Sequence, residues 1–282
     1  MAILLRWTCL TCCLCTVEQV HILPEGPPVM GVTTLGDQIY LLRLKGRDKI
    51  EVYNAATYCL NHCLTVTDSV LLTDMTSCKH FLCLYIADSV VKCIHRQDLQ
   101  GNATKWPVSD TPDGLSVNLD HNLIVICRYL RKINEFSPRG DLLRDVILPD
   151  DVTNPWHAIQ LTSGEFFVCH GEWDDQVHRV CLVSADGREI VCSHGGQRGS
   201  DTDQYNVPAR LAVDDEFVFV VDRNNRRVTL LSPTLNYIVL RQVVARDQVK
   251  WKPERLCLDV QRRRLYVAAN CSTAGRVVVF TV

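Results

Sequence analysis

The sequence predicts an all-β chain folded as a single six-bladed β-propeller, and three observations carry that prediction. Apolar runs rich in Val, Ile, Leu, Phe and Tyr alternate with turn-forming residues, and no segment sustains a helical period. A pattern of apolar run, turn, second run, polar loop and third run recurs, its second runs centred on Leu41, Tyr85, Ile124, Phe167, Phe219 and Tyr266. Their spacings of 44, 39, 43, 52 and 47 residues average 45, the period of a blade of about four short strands. The last unit stops one strand short, whereas one strand-like run near the N-terminus belongs to no unit, so each completes the other.

In chain order, residues 1–15 form an apolar, cysteine-rich segment. It is a poor secretory leader, because no basic region precedes it and Arg6 interrupts its apolar run. The run Thr16 to Leu23 is expected to be the outer strand of the last blade, closing the ring and removing an open sheet edge. Gly36-Asp37 turns the first unit, Pro138-Arg139-Gly140 the third, and Ser163-Gly164 with Asp186-Gly187 the fourth. The fifth unit is the clearest. Its inner strand Val207 to Asp214 is followed by Phe217 to Asp222, a loop Arg223-Asn224-Asn225-Arg226-Arg227, and Val228 to Ser232. The last unit has strands at Leu256 to Val260, Leu265 to Ala268 and Val277 to Val282. Residues 16–282 therefore read as one domain, since a blade cannot bury both its faces alone.

Composition excludes several classes. Of the 282 residues 47% are hydrophobic and 22% charged, ample for a large core and incompatible with general disorder. No stretch reaches the roughly 18 uninterrupted apolar residues of a membrane-spanning helix. The net charge of −2 is neither polybasic nor polyacidic. Of the 15 cysteines, several (Cys83, Cys127, Cys169, Cys181, Cys192 and Cys257) lie inside apolar strand-like runs, where a free thiol acts as a small hydrophobe. That placement points to a reducing, cytoplasmic setting rather than to a disulfide framework.

Asn206-Val207-Pro208 before an inner strand, Ala212-Val213-Asp214 at its end, and Val220-Val221-Asp222 followed by Asn225 and Arg227-Val228 resemble the NHL repeat. Tyr85-Ile86-Ala87-Asp88 gives a second strand with the same ending, whereas Cys127, His170 and Ala269 replace that aspartate elsewhere. The chain is similar to the NHL propeller that ends tripartite-motif ubiquitin ligases. The resemblance implies a propeller that holds a protein or an RNA target, with ligase activity residing in a RING domain that these residues do not contain.

Motifs for chemistry are sparse. There is no G-x-S-x-G elbow, no H-E-x-x-H, no phosphate loop and no EF-hand loop. Cys59, His62, Cys63, Cys78, His80 and Cys83 have thiolate and imidazole character suited to zinc, but their spacing fits no common module. His157 begins an inner strand and is placed to line the axial channel, while His170, His178 and His194 do not converge with it. No metal or cofactor is expected, and the chain reads as a non-enzymatic, monomeric interaction module. A six-bladed lyase or hydrolase with a channel metal is the alternative from a different class.

Charge gives the candidate binding surface. Residues 222–282 carry twelve basic side chains against four acidic ones. The loops between second and third strands share one face of a propeller, and they hold Arg47, Arg128, Arg131, Arg223 and Arg226 together with Asn224. With Tyr129, Tyr205 and Lys252 these form the expected binding face. A protein partner is expected there, with single-stranded RNA as the alternative, since cations attract phosphates and tyrosines stack on bases. Lys49, Lys132, Arg179, Arg227 and Arg276 each directly precede a third strand, a recurrence that suggests a role inside the fold.

Overall fold

A computed structural model describes residues 17–44, 49–232 and 241–282. Six antiparallel four-stranded sheets make the ring. Blade one is β2 (Val29–Leu35), β3 (Gln38–Arg43), β4 (Lys49–Asn54) and β5 (Leu60–Thr65); blade two is β6 (Leu72–Cys78), β7 (Cys83–Asp88), β8 (Cys93–Asp98) and β9 (Ala103–Pro107). Blade three is β10 (Pro112–Val117), β11 (Leu123–Cys127), β12 (Lys132–Phe136) and β13 (Leu142–Ile147). Blade four is β14 (Pro155–Gln160), β15 (Phe166–His170), β16 (Val177–Val183) and β17 (Ile190–Gln197). Blade five is β18 (Pro208–Val213), β19 (Val218–Asp222), β20 (Arg227–Leu231) and β21 (Arg241–Val244). Blade six joins β22 (Lys252–Asp259), β23 (Arg264–Asn270) and β24 (Gly275–Thr281) to β1 (Glu18–Ile22).

The ring closes as the sequence implies. Glu18 lies opposite Thr281 and Ile22 opposite Val278. The amide of Leu23 donates to Val277 O at 2.9 Å, and Gly26 and Gly275 exchange both backbone bonds. Asn270 then clasps the first residue of blade one, its Oδ1 accepting from Val29 N and its Nδ2 donating to Val29 O, each at 2.8 Å. Gly275 has to be glycine here, because a Cβ would stand 2.7 Å from Val29 N.

Burial explains the period. The described core falls into six apolar clusters, one at each interface between neighbouring blades. Phe219 and Val228 of blade five meet Leu265 and Val278 of blade six, for instance, and Tyr40 of blade one meets Leu72 and Met75 of blade two. Each sheet thus buries both faces only through its two neighbours, which makes the ring one cooperative unit.

Two details differ from the sequence reading. Tyr40, not Leu41, is the blade-one counterpart of the other anchors: it pairs with Thr33 two residues past a bulge, as Tyr85 pairs with Thr76. In addition, β22 starts at Lys252, four residues before Leu256. The polar run Lys252-Pro253-Glu254-Arg255 looks like loop, but its polar groups find partners at the ring axis and on the adjoining face.

Candidate functional site

Every inner strand carries a β-bulge at the same place, between Val29 and Gly31, Leu72 and Asp74, Pro112 and Gly114, Pro155 and His157, Pro208 and Arg210, and Pro253 and Arg255. A bulge leaves one residue out of the ladder. The six bulge carbonyls, one from each blade, are all satisfied by two side chains. Arg255 donates to Met30 O (2.6 Å), Thr73 O (2.8 Å) and Glu254 O (3.0 Å). Arg210 donates to Trp156 O (3.1 Å), Ala209 O (3.0 Å) and Asp113 O (3.1 Å). Asp74 sits between the guanidiniums, 3.2 Å from Arg210 and 3.4 Å from Arg255, and accepts the Leu115 amide at 2.8 Å. Burial pushes Arg255 down only to about 10, so it stays charged at neutral pH. This plug closes the channel on one side of a 260 Å³ cavity. The cavity extends toward the turns between first and second strands, past Thr33, Ser77, Ser116, Ile159, Val213 and Leu258.

His157 does reach the axis, but as part of the packing. Its Nε2 lies 3.1 Å from Leu115 O, and burial, reinforced by Arg210, pushes it down to about 4. It is therefore neutral at pH 7. His170 accepts from Arg179 Nε, His178 Nδ1 accepts the Val207 amide, and His194 bonds Tyr205. Among the described residues no group of three or more His, Cys, Asp or Glu is placed to hold a metal ion, and no helix is long and apolar enough to cross a membrane.

The opposite side of the plug is the face that carries the second-to-third turns and the connections between blades. It presents an arc of exposed apolar residues on blades two, three and four: Val70, Val90, Val91, Leu130, Tyr129 (69% exposed) and Trp173 (53% exposed). Specific bonds hold these residues in place. Asp88 accepts the amides of Val70, Val90 and Val91. Asp110 accepts the Leu130 amide and faces Lys92 at 3.8 Å, which ties blade two to blade three. Arg128 stacks on Trp156 (4.1 Å) and on Tyr129 (5.8 Å) and pairs with Glu172, the residue before Trp173. Lys252 Nζ stands 5.2 Å from the Trp173 ring and donates to Asn224 Oδ1, so the arc ends at blades five and six.

Most cations of this face among the described residues are already paired with carboxylates. Lys92, Arg128, Arg131, Lys132, Arg223 and Arg227 pair with Asp110, Glu172, Asp150, Asp145, Glu254 and Asp222 respectively. Arg227 also donates to the carbonyls of Ser200, Asp201 and Gln204, the fold-internal role its position suggests. Arg226 ends its turn in the left-handed region (φ 54°). With Arg223 it adds to burial in lowering the pKa of Lys252.

The expected binding residues therefore divide. Arg128, Tyr129, Arg131, Arg223, Asn224, Arg226 and Lys252 lie on one face, where Arg128 contacts Tyr129, Lys252 bonds Asn224, and Arg223 pairs with Glu254 of blade six. Tyr205 is a correction. It is fully buried with its hydroxyl 3.0 Å from His194 Nδ1, because it packs between blades four and five against Phe167 and Leu211. Arg47 lies outside the described residues. Apart from Tyr129, the sequence reading singles out neither the apolar members of the arc nor the axial plug. Their signals are the apolar dipeptides Val90-Val91 and Tyr129-Leu130 at turn positions, and the repeated Pro-x-Arg of Pro208-Ala209-Arg210 and Pro253-Glu254-Arg255.

No protein-family model matches the chain, and no curated protein matches it. Solved structures do resemble it over nearly its whole length. A hydrazine synthase structure from Kuenenia stuttgartiensis aligns with TM-score 0.64 at 14% identity, covering 93% of this chain and 98% of that one. A streptogramin B lyase aligns with TM-score 0.63 at 10% identity, covering 93% and 97%. The Cps50 (Swd1) β-propeller domain of Myceliophteria thermophila aligns with TM-score 0.64 at 11% identity, covering 94% and 99%. At these identities the likeness establishes the propeller fold alone.

Proposed function

We propose that this propeller is a non-enzymatic interaction module that holds a protein partner on its loop face, as an NHL-type propeller of the kind that ends tripartite-motif ubiquitin ligases. The observation that carries the reading is the apolar arc from Val70 to Trp173. Exposed valines, a leucine and two large aromatics on rigid turns are what a protein interface buries at its centre. Ion pairs on the cations favour a protein over RNA, since a paired guanidinium has to give up its carboxylate before it binds a phosphate. In ubiquitin transfer this face selects the substrate and a separate RING component supplies the ligase activity.

Affinity capture from native lysate tests the reading with three baits: the wild type, Val91→Asp/Tyr129→Asp on the arc, and Arg264→Glu on the opposite face. A partner recovered near stoichiometry with the wild type and with Arg264→Glu, and lost with the arc variant, supports it. Equal recovery by all three, or RNA as the only retained species, contradicts it.

A further inference from the structure

We propose that Cys78 and Cys83 form an oxidisable dithiol, a modification site that closes to an intramolecular disulfide beside the β6–β7 turn, on the side of the ring away from the apolar arc. The two residues are the terminal pair of the β6–β7 ladder, directly opposite each other across the turn Lys79-His80-Phe81-Leu82. Opposed residues of an antiparallel pair have Cα atoms about 4.5–5.5 Å apart, inside the range of about 4.4–6.8 Å that a disulfide spans. The two stand side by side at the ladder's end, so no strand has to move far for the sulfurs to meet.

The surroundings divide the labour between them. Cys83 opposite and the turn backbone at Phe81 and His80 offer donors that favour the Cys78 thiolate. Against the opposing effect of burial, these donors bring Cys78 down to about 6, whereas Cys83 is pushed up. Cys78 is thus the nucleophile and Cys83 the resolving thiol. Burial instead pushes Cys127, Cys169 and Cys181 up to about 12. Cys271 is also lowered, but no cysteine lies opposite it in the described strands. Both cysteines are buried beneath the four-residue turn, whose His80 and Phe81 pack on His121 of the adjoining blade-three turn. Lys79, His80, Phe81 and Leu82 are all exposed, so opening this turn admits a small oxidant without unfolding a blade.

The oxidant is hydrogen peroxide. The Cys78 thiolate attacks one peroxide oxygen and the O–O bond breaks, giving Cys78 sulfenic acid and hydroxide, which takes a proton to become water. Cys83 loses its proton and attacks the Cys78 sulfur. The S–S bond forms, the S–O bond breaks, and a second water leaves. Two thiols are oxidised by two electrons as one peroxide is reduced to two waters, and a small dithiol reverses the change by exchange.

Peptide mapping of the full chain after graded hydrogen peroxide tests this. Trypsin cuts after Lys79, so the peptides Ile50–Lys79 and His80–Lys92 stay joined only through a disulfide, and fragmentation assigns it to Cys78 rather than Cys59 or Cys63. The expected result is a Cys78–Cys83 link formed at least about tenfold faster than oxidation of Cys127, Cys169 or Cys181, and reversed by dithiothreitol. In Cys83→Ser, Cys78 accumulates as a sulfenic acid that dimedone traps. Absence of the link, or a link that appears only as the deeply buried cysteines oxidise, overturns the proposal. The wild-type map decides this alone if the variant does not fold.

Discussion

Removing Arg210 is the sharpest structural perturbation available. In Arg210→Ala the carbonyls of Trp156, Ala209 and Asp113 lose their donor, and Asp74 keeps only Arg255 and the Leu115 amide. Breaking a buried ion pair from one side costs about 3–5 kcal/mol. The cavity beside the plug admits water, and Asp74 retains one cation, so the lower end applies, about 3 kcal/mol. For a chain of this size that lowers Tm by roughly 6–12 °C. Arg210→Lys keeps the charge but not the fork and falls between. The assay is urea denaturation followed by tryptophan fluorescence on the wild type, Arg210→Ala, Asp74→Ala and the double variant. The cycle should return a coupling of about 1–3 kcal/mol. A loss below about 1 kcal/mol in both single variants, or additive losses, would refute the plug as a structural bolt.

Other consequences are equally direct. His157 and His170 are held near 4 by burial, with Arg210 and Arg179 adding to it, against an ordinary value of 6.5. Stability present above pH 6.5 is therefore lost as pH falls toward 4, by up to about 3 kcal/mol for each histidine. Asp222, held up at about 6 by burial, offsets part of this, because its contribution grows as pH falls below 6. Denaturation midpoints between pH 7 and 4.5 should fall, and His170→Gln should flatten the slope; a pH-independent midpoint contradicts the account. Gly275→Ala forces a Cβ against Val29 N at the ring closure and should cost about 2 kcal/mol in thermal unfolding, whereas Gly196→Ala meets open space and should stay within about 0.5 kcal/mol. Leu23→Ala empties a fully buried position beside β1 and should lose about 3 kcal/mol in the same assay; a neutral result would mean that the closing strand adds little.

The architecture was legible because blades impose a strong local rhythm. Paired apolar runs such as Ile39–Leu42 and Val218–Val221 read as strands, and the unassigned run before Leu23 matched the missing strand of blade six. The axial plug was harder to read. It joins Asp74 and Arg210 to Arg255, which stands 181 positions after Asp74; Arg255 sits in a run whose polarity mimics a loop, and Arg210 lies in a strand with nothing local to mark its role. Tyr205 misled for the reverse reason: it lies in a polar segment, Asp203-Gln204-Tyr205-Asn206, yet the chain turns inward there and buries the ring against Phe167. The loop-face cations were found by position, but their carboxylate partners come from other turns and strands, and only the folded arrangement shows which charges are spent. The apolar arc depends on where turns of successive blades meet, which no single repeat reveals.

The most direct measurement of the central claim is a hydrogen-exchange footprint of the propeller, free and bound to its captured partner. The account predicts added protection in the turns around Val90-Val91, Tyr129-Leu130 and Trp173, with none at the turns around Phe81, Leu119 and Val260. Protection confined to that second set, or spread evenly over the ring, would place the partner on the other face and contradict the account.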